Sequence, residues 1–292
     1  MTKSSPAPSE KWADIGDLRM RYLDWGGDGA PVLALHGLAS CAHWYDLVAP
    51  ELSEKFRIIA PDQRGHGQTT QAPTGYDWQT LASDVAGLMS HLGINEYPVL
   101  GHSWGGNVAI NLAANYPDRV SALVMIDGGF FGARLRNTTT WEEFQRRRPR
   151  DVSGTRQQFL ERIKGQLSIC WNEDIERIVQ TMVWEDDQGQ MNDILAPENH
   201  DQVMHAMWHD PASDTWSRIS SPTLIVAAGP TPDRIGSEFA LRKQEMVKLA
   251  SQEIKNSQVQ WVPETIHDIG FHKPVELADT ISDFCRTGNR EF

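Results

Sequence analysis

A serine set between two glycines constrains this chain more than any other feature. Residues 101–105 read G-H-S-W-G, preceded by the apolar pair Val99-Leu100 and followed by a small-residue helical pattern over residues 107–115. A strand that turns directly into a helix needs glycines at the turn, because side chains there would collide. Such a turn forces the Ser103 hydroxyl out of the sheet and places it beside the N–H groups that open the helix. The pattern therefore predicts Ser103 as a nucleophile whose attack generates an oxyanion.

Short, continuously apolar segments recur along the chain and alternate with amphipathic ones. Such runs are typical of central strands that are covered on both faces. We predict strands at residues 19–25 (more alternating, near an edge), 32–35, 57–60, 99–100, 123–126, 224–227 and 259–262. Apolar residues at helical spacing predict helices over residues 81–92, ending at Gly93, and 277–285, following Pro274. Alternating strands and helices indicate an α/β fold with a doubly wound, mostly parallel sheet.

The alternation breaks in the middle of the chain. Residues 130–218 contain no comparable apolar run, but they hold five tryptophans and helical stretches at 159–167 and 200–208. We predict that this segment is an inserted helical cap over the carboxyl edge of the sheet, where ligand sites of α/β proteins form. The predicted domains are therefore a core, residues 12–129 and 219–286, and the cap, residues 130–218.

Charge and composition narrow the classes of partner. The 292 residues carry a formal net charge of -12, which argues against nucleic acid, because phosphate binding needs concentrated Lys and Arg. The one basic run, residues 146–150, is predicted to be a solvated surface. No apolar run is long enough to span a membrane, and residues 1–11 lack the apolar segment of a signal peptide. We expect a cytoplasmic monomer or homodimer that binds a small-molecule substrate and no membrane.

The cysteines and histidines give no indication of a metal or a disulfide. Cys41, Cys170 and Cys285 are widely spaced, and free thiols in a reducing compartment are the simplest interpretation. No spacing of His, Cys, Asp or Glu is typical of a metal site. We therefore expect neither a metal nor another cofactor.

Four motifs, in this order along the chain, resemble those of the α/β-hydrolase fold family. Residues 36–38 (H-G-L) resemble the H-G-x turn after the third strand of the family, and residues 62–69 (D-Q-R-G-H-G-Q-T) resemble its D-x-R-G-x-G-x-[ST] loop. Residues 101–105 match its nucleophile elbow, and His267 matches the position of its catalytic histidine. The resemblance covers residues 19–284 and implies the α/β-hydrolase fold, in a serine-nucleophile, esterase-like branch with a helical cap.

The resemblance also implies a catalytic triad. Ser103 would be the nucleophile, and His267 would be the base that takes the proton from its hydroxyl. The family most often places the acid after the strand predicted at 224–227, where Asp233 lies in an unusual loop with two prolines. A minority of the family places the acid one strand earlier, where Asp127 lies. We favour Asp127 and keep Asp233 as the alternative acid, since both preserve the chain order Ser, Asp, His.

Further roles follow from the same motifs. The resemblance implies an oxyanion hole formed by the backbone N–H groups of Leu38 and Trp104. The side chains of His36 and Trp104 are candidates for substrate binding, with core packing as an equal alternative for each. Asp62 and Arg64 are expected to pair with each other and to hold their glycine-rich loop.

The reaction class is inferred from the residue at the elbow. The sequence G-H-S-W-G-G resembles the elbow of haloalkane dehalogenases and epoxide hydrolases, which carry aspartate where this chain has Ser103. Serine forms an acyl-enzyme that water then cleaves, so the resemblance implies a carboxylesterase or lactone hydrolase for a small apolar substrate. A carbon–carbon bond hydrolase or an amidase using the same triad remains open. So does a non-catalytic, ligand-binding relative.

Overall fold

The computed structural model describes residues 7–131, 140–146 and 151–287. The predicted basic surface at residues 146–150 therefore lies outside the described residues, except for Arg146, which is exposed. Parts of the predicted cap, residues 132–139 and 147–150, lie outside them as well.

An eight-stranded sheet forms the centre of the described fold. The strand order is β1-β2-β4-β3-β5-β6-β9-β10, in which β2 pairs antiparallel with β1 and β4 and every other pairing is parallel. The strands are β1 (Ser9–Ile15), β2 (Leu18–Asp24), β3 (Ala30–Leu35), β4 (Phe56–Pro61), β5 (Tyr97–His102), β6 (Val120–Ile126), β9 (Thr223–Ala228) and β10 (Ser257–Val262). The predicted α/β architecture with a mostly parallel sheet is confirmed.

Helices cover both faces of this sheet. In chain order they are α1 (Ala49–Leu52), α2 (Trp78–His91), α3 (Trp104–Asn115), α4 (Trp141–Phe144), α5 (Arg156–Gln166), α6 (Glu173–Gln180), α7 (Pro197–His209), α8 (Glu238–Glu253), α9 (Ile269–His272) and α10 (Pro274–Thr287). One core, on the face of α2, α3 and α8, contains Leu88, Val108 and Val247. The core on the opposite face, against α1 and α10, contains Leu52 and Ile281. Successive strand residues point to alternate faces, so continuously apolar strands supply both cores.

The segment between β6 and β9 is not purely helical, which corrects the predicted helical cap. Besides α4 to α7, its described residues form a two-stranded antiparallel sheet of β7 (Val183–Glu185) and β8 (Met191–Asp193). The Asp186 carboxylate accepts backbone N–H bonds from Gln188 and Gln190 and thereby closes the connecting turn. Strands of three residues are too short to produce the period-two signal on which sequence analysis relies.

Strand β1 was missed by the sequence analysis. Its residues S-E-K-W-A-D-I are mostly polar, and only Ala13 among them is buried. Such a strand has no apolar pattern, because it lies at the edge of the sheet and exposes most of its side chains. The strand predicted near an edge, β2, consequently lies one position further in and is buried along most of its length.

Two further expectations can be compared with the described residues. Cys41, Cys170 and Cys285 are all free thiols, as expected. Within the described ranges, no helix is both long enough and apolar enough to cross a membrane.

Candidate active site

Loops that follow four neighbouring strands meet at one edge of the sheet. The chain forms β4 on one side of β3 and later β5 on the other side, so the strand order reverses at β3. Ligand sites of open α/β sheets form outside the carboxyl ends of the strands at such a reversal. His36 follows β3, Asp62 follows β4, Ser103 follows β5 and Asp127 follows β6. Residues from distant parts of the sequence therefore come together at this edge.

Ser103 occupies a strained turn between β5 and α3. Its backbone has φ 53° and ψ -120°, a conformation that residues with a side chain rarely adopt. A β-carbon on Gly101 would lie 2.5 Å from the Gly105 carbonyl oxygen, and one on Gly105 would lie 2.4 Å from that of His36. Both glycines are therefore required for the close backbone approach that holds Ser103 at the start of α3.

His267 links Ser103 to Asp127 through two hydrogen bonds. It lies in the loop between β10 and α9, with Nε2 2.9 Å from Ser103 Oγ and Nδ1 2.7 Å from Asp127 Oδ2. A carboxylate only accepts hydrogen bonds, so Nδ1–H donates to Asp127 and Nε2 is left as the acceptor for the Ser103 hydroxyl. This arrangement is chemically suited to removing a proton from Ser103.

The alternative acid, Asp233, lies elsewhere. It is exposed within a short 3-10 helix, Pro232–Arg234, and its carboxylate is hydrogen-bonded to the side chain of Thr231. Of the two candidate acids, the structure brings only Asp127 to His267.

Asp127 is completely buried and carries several hydrogen bonds. Its Oδ1 accepts the backbone N–H of Ala228 at 2.8 Å, and the Lys243 ammonium lies 2.8 Å from each carboxylate oxygen. Burial opposes ionisation of Asp127, but the hydrogen bond from His267 and the charge of Lys243 outweigh it, so its pKa is lowered. Sequence analysis did not single out Lys243, because it belongs to no motif and α8 is remote in sequence.

The ionised Asp127 in turn affects His267. The His267 side chain is half-exposed, and its partial removal from water favours the neutral imidazole. The hydrogen bond to Asp127 and the negative charge of Asp127 outweigh this effect and raise the pKa of His267. Asp268 acts in the same direction, whereas the charge of Lys243 opposes it.

Asp62 and Arg64 do not pair with each other, which corrects the prediction. Asp62 Oδ2 instead accepts from Arg21 Nη1 at 2.9 Å, and its Oδ1 accepts from the backbone N–H of Ala42 at 2.8 Å. Arg64 donates to Asp84 on α2, at 2.8 Å from Nε and 3.0 Å from Nη2. Asp62 therefore ties its loop to β2 and to the loop after β3, while Arg64 ties it to α2.

The predicted pocket residues His36 and Trp104 are both buried. His36 Nε2 accepts the Gln63 backbone N–H at 3.0 Å and Nδ1 donates to the Gly37 carbonyl at 2.8 Å, while burial lowers the pKa of its imidazole to about 4. Trp104 is 3% exposed and stacks on His66 with ring centroids 5.2 Å apart. Neither belongs to the described residues that line the cavity, which favours the core-packing alternative for both, and substrate contact by these side chains stays a prediction.

A cavity of about 140 Å³ lies beside Ser103. It is lined by Gly37, Leu38, Ser40, Trp44, His102, Ser103, Ile163, Gln166, Leu167, Val179, Met182, His267, Asp268 and Phe271. Much of the apolar wall comes from α5 and α6, which lie within the segment between β6 and β9. Among these described residues, Asp268 carries the one carboxylate and there is no Lys or Arg. The Asp268 Oδ1 accepts from the Trp44 indole at 2.8 Å, which fixes the carboxylate in the wall.

The donor groups of this edge do not form a metal site. In residues 7–131, 140–146 and 151–287, no group of three or more His, Cys, Asp or Glu side chains is placed to hold a metal ion.

Comparisons with known proteins agree with the fold and the motifs. A family model described as "alpha/beta hydrolase fold" matches residues 30–168. The soluble epoxide hydrolase of Corynebacterium sp. (strain C12) is 42% identical over 115 residues, which cover 39% of this chain and 40% of that protein. The 2-(acetamidomethylene)succinate hydrolase of Mesorhizobium japonicum is 37% identical over 114 residues, 39% of this chain and 41% of that protein. The chain thus matches about two fifths of the length of these curated relatives.

Solved structures match over nearly the whole chain. The structure of E-2-(acetamidomethylene)succinate hydrolase has a TM-score of 0.73 at 22% identity, covering 96% of this chain and 99% of that one. The structure of bromoperoxidase from Bacillus anthracis has a TM-score of 0.74 at 21% identity, covering 95% of this chain and 100% of that one. At this identity the likeness shows the fold. The chain has the α/β-hydrolase fold, and residues 30–168 match the model of that family.

Proposed function

We propose that this protein is a serine hydrolase that cleaves carboxylic esters, or lactones, of small apolar substrates through an acyl-enzyme. One observation carries the proposal, namely the hydrogen-bonded line from Ser103 Oγ through His267 to Asp127, with distances of 2.9 and 2.7 Å. A serine hydroxyl is a weak nucleophile unless a positioned base accepts its proton, and this line supplies the base and its orienting acid.

The proposed reaction has two halves. Ser103 Oγ attacks the ester carbonyl while its proton passes to His267 Nε2, and the resulting imidazolium is stabilised by Asp127. The oxyanion of the tetrahedral intermediate is proposed to accept hydrogen bonds from the backbone N–H groups of Leu38 and Trp104. His267 then protonates the leaving alcohol, and in the second half it activates the water that cleaves the acyl-enzyme.

Serine at position 103 supports acyl transfer over the chemistry named for some relatives. Attack by a serine hydroxyl on an epoxide or an alkyl halide would produce an ether, which the same site has no means of hydrolysing. Attack on an ester produces another ester, the acyl-enzyme, which water can cleave. The name of the epoxide hydrolase relative therefore does not transfer to this chain.

The cavity supports a short, uncharged acyl group. Its volume of about 140 Å³ is small beside the roughly 300–1,000 Å³ that is typical of ligand pockets, which favours a small acyl group. Its walls include Ile163, Leu167 and Val179, which favour an apolar chain. Asp268, the carboxylate in the wall, disfavours an acyl group that is itself anionic.

Amide hydrolysis is a second candidate. The observation in its favour is the relative named 2-(acetamidomethylene)succinate hydrolase, whose name contains an amide group and which matches this chain at 37% identity. The same three residues would serve either bond, because both reactions pass through an acyl-enzyme.

The test compares wild type and Ser103→Ala on p-nitrophenyl esters from acetyl to decanoyl, with p-nitroacetanilide as the amide. We expect wild type to hydrolyse the short esters fastest, with activity falling as the acyl chain lengthens, and Ser103→Ala to lose the activity by at least about a thousandfold. Cleavage of the anilide alone would favour the amidase. Equal rates for wild type and Ser103→Ala would contradict both proposals.

A further inference from the structure

Lys243 is a buried cation that contacts the Asp127 carboxylate. It lies on α8, is 6% exposed, and its Nζ lies 2.8 Å from each oxygen of Asp127 and 3.2 Å from the carbonyl oxygen of Ala228. An ammonium has three N–H donors, and these three acceptors account for all of them. Two side chains, Lys243 and His267, therefore hold the Asp127 carboxylate by hydrogen bonds.

We propose that Lys243 is a positioning residue of the catalytic site. Its ammonium fixes the Asp127 carboxylate in the orientation that His267 requires, and its charge opposes protonation of His267, whose neutral form is the one that can accept a proton. This inference rests on the proposed function, since it assigns a role within the same triad.

Aromatic rings exclude water from this ion pair. Lys243 Nζ lies 5.8 Å from the ring centre of Phe131 and 5.7 Å from that of Phe239, within the range of cation–π attraction. Phe131 also contacts His267 edge to face, with ring centroids 6.1 Å apart. Charges act more strongly where water is excluded, so Lys243 affects the buried Asp127 more than a surface lysine would. The His267 side chain is 45% exposed, so solvent screens part of the effect of Lys243 on it.

The groups that face His267 explain why a compensating cation matters. Asp127 from the turn after β6 and Asp268 from the loop before α9 both favour the imidazolium. His102, the last residue of β5, has its ring centroid 4.9 Å away and is neutral, because burial and the neighbouring His267 lower its pKa to about 4. Lys243 from α8 is the cation among these groups. Without it, two carboxylates would hold a proton on His267 over a wider pH range and would block its use as a base.

An ion pair that served only stability would predict a different outcome. Replacing a buried ion pair by apolar groups is often neutral or stabilising, so burial of Lys243 does not by itself imply a role in stability. The two interpretations differ in one measurable quantity, the pKa of His267. A structural role leaves it unchanged, whereas the proposed role requires it to rise when the cation is removed.

The experiment measures the titration of the His267 ring by NMR in protein labelled at histidine. The His267 signal is assigned by its loss in His267→Gln. For Lys243→Met and Lys243→Gln we expect the apparent pKa of His267 to rise by about one unit, and the acid limb of kcat/KM to move by the same amount. Lys243→Arg keeps the charge and is expected to titrate within about 0.3 units of wild type. Lys248→Met removes an exposed lysine from the same helix and is the matched control, with no expected shift.

Phe239→Ala provides a milder test if the Met and Gln variants fail to fold. Phe239 is 59% exposed, so its truncation admits water to Lys243 at little cost to the core. Screening of the ammonium is expected to raise the pKa of His267 by a few tenths of a unit. An unchanged titration in every folded variant would overturn the proposal.

The NMR readout needs no turnover, so a shift without ester hydrolysis would contradict the proposed function while leaving the effect of Lys243 on His267 intact.

Discussion

Gly128 lies directly against the backbone of Ser103. A β-carbon built on Gly128 would lie 2.1 Å from the Ser103 carbonyl oxygen and 2.5 Å from its Cα. The turn after β6 therefore supports the turn after β5 from the side, since the two strands are neighbours and His102 pairs with Ile126. The strained conformation of Ser103 is maintained by backbone contact as well as by the glycines of its own motif.

The first prediction concerns this contact. Gly128→Ala would displace Ser103, so we expect kcat/KM for a short ester to fall by at least about a hundredfold, as for other misplacements of about 1 Å. Gly165→Ala is the control, because a β-carbon there meets nothing within 4 Å and lies on the helix α5. It is expected to keep full activity and to gain up to about 1 kcal/mol in the free energy of unfolding. Equal activity of the two variants would show that the contact with Gly128 does not position Ser103.

The second prediction separates the two candidate acids. Asp127→Asn is expected to lower kcat by three to four orders of magnitude, because the His267 ring loses the acceptor that fixes its tautomer. Asp233→Asn, at an exposed site, should remain within about twofold of wild type. The measurement is steady-state ester hydrolysis, with circular dichroism to verify folding. The reverse pattern would favour Asp233, and near-full activity of both variants would contradict the triad.

The third prediction is the pH dependence of kcat/KM. Only neutral His267 can accept the serine proton, and the pKa of His267 is raised above its ordinary value of 6.5. Activity on an uncharged ester should therefore rise with pH and reach its plateau only above that value, with a tenfold fall per pH unit on the acid side. An acid limb centred below the ordinary value would be inconsistent with control by His267.

The fourth prediction tests the charge in the cavity wall. Asp268→Asn preserves an acceptor for the Trp44 indole and removes the negative charge. We expect kcat/KM for the p-nitrophenyl ester of succinate to rise about tenfold relative to that of butyrate, from the loss of like-charge repulsion. Measurements on the alkaline plateau of each enzyme's pH profile avoid the accompanying change in His267, because the imidazole is then neutral in both.

Asp279→Asn, an exposed change on α10, serves as the control for Asp268→Asn. It should leave the ratio of the two substrates unchanged. A constant ratio in both variants would show that Asp268 does not contribute to selection against anionic acyl groups.

The sheet could be predicted because a strand that is buried on both faces has a continuously apolar sequence. The runs at 123–126 and 224–227 are continuously apolar, and both are central strands. Strand β1 carries the opposite composition, since an edge strand exposes most of its residues, and it was missed. The turn at Ser103 was visible because its geometry admits only glycine at 101 and 105. The predicted boundaries between the core and the cap, at residues 129/130 and 218/219, remain predictions.

The contacts around the acid could not be predicted from sequence. Lys243 is one lysine among many along the chain, and nothing in α8 distinguishes it before the fold brings it to Asp127. For His36 and Trp104 the sequence leaves pocket lining and core packing equally open, because adjacency to a motif does not determine which way a side chain points. The catalytic roles of Ser103, His267 and Asp127 remain predictions, although the structure brings the three side chains into one hydrogen-bonded line.

The carboxylate of Asp268 has a consequence for the end of the catalytic cycle. The proposed reaction converts an uncharged ester into an acid that ionises as it forms, in a cavity whose wall carries the negative charge of Asp268. Repulsion between the two anions would drive the product out of the cavity and oppose its return. We therefore expect the carboxylic acid to be a weak product inhibitor, so that hydrolysis slows little as the acid accumulates.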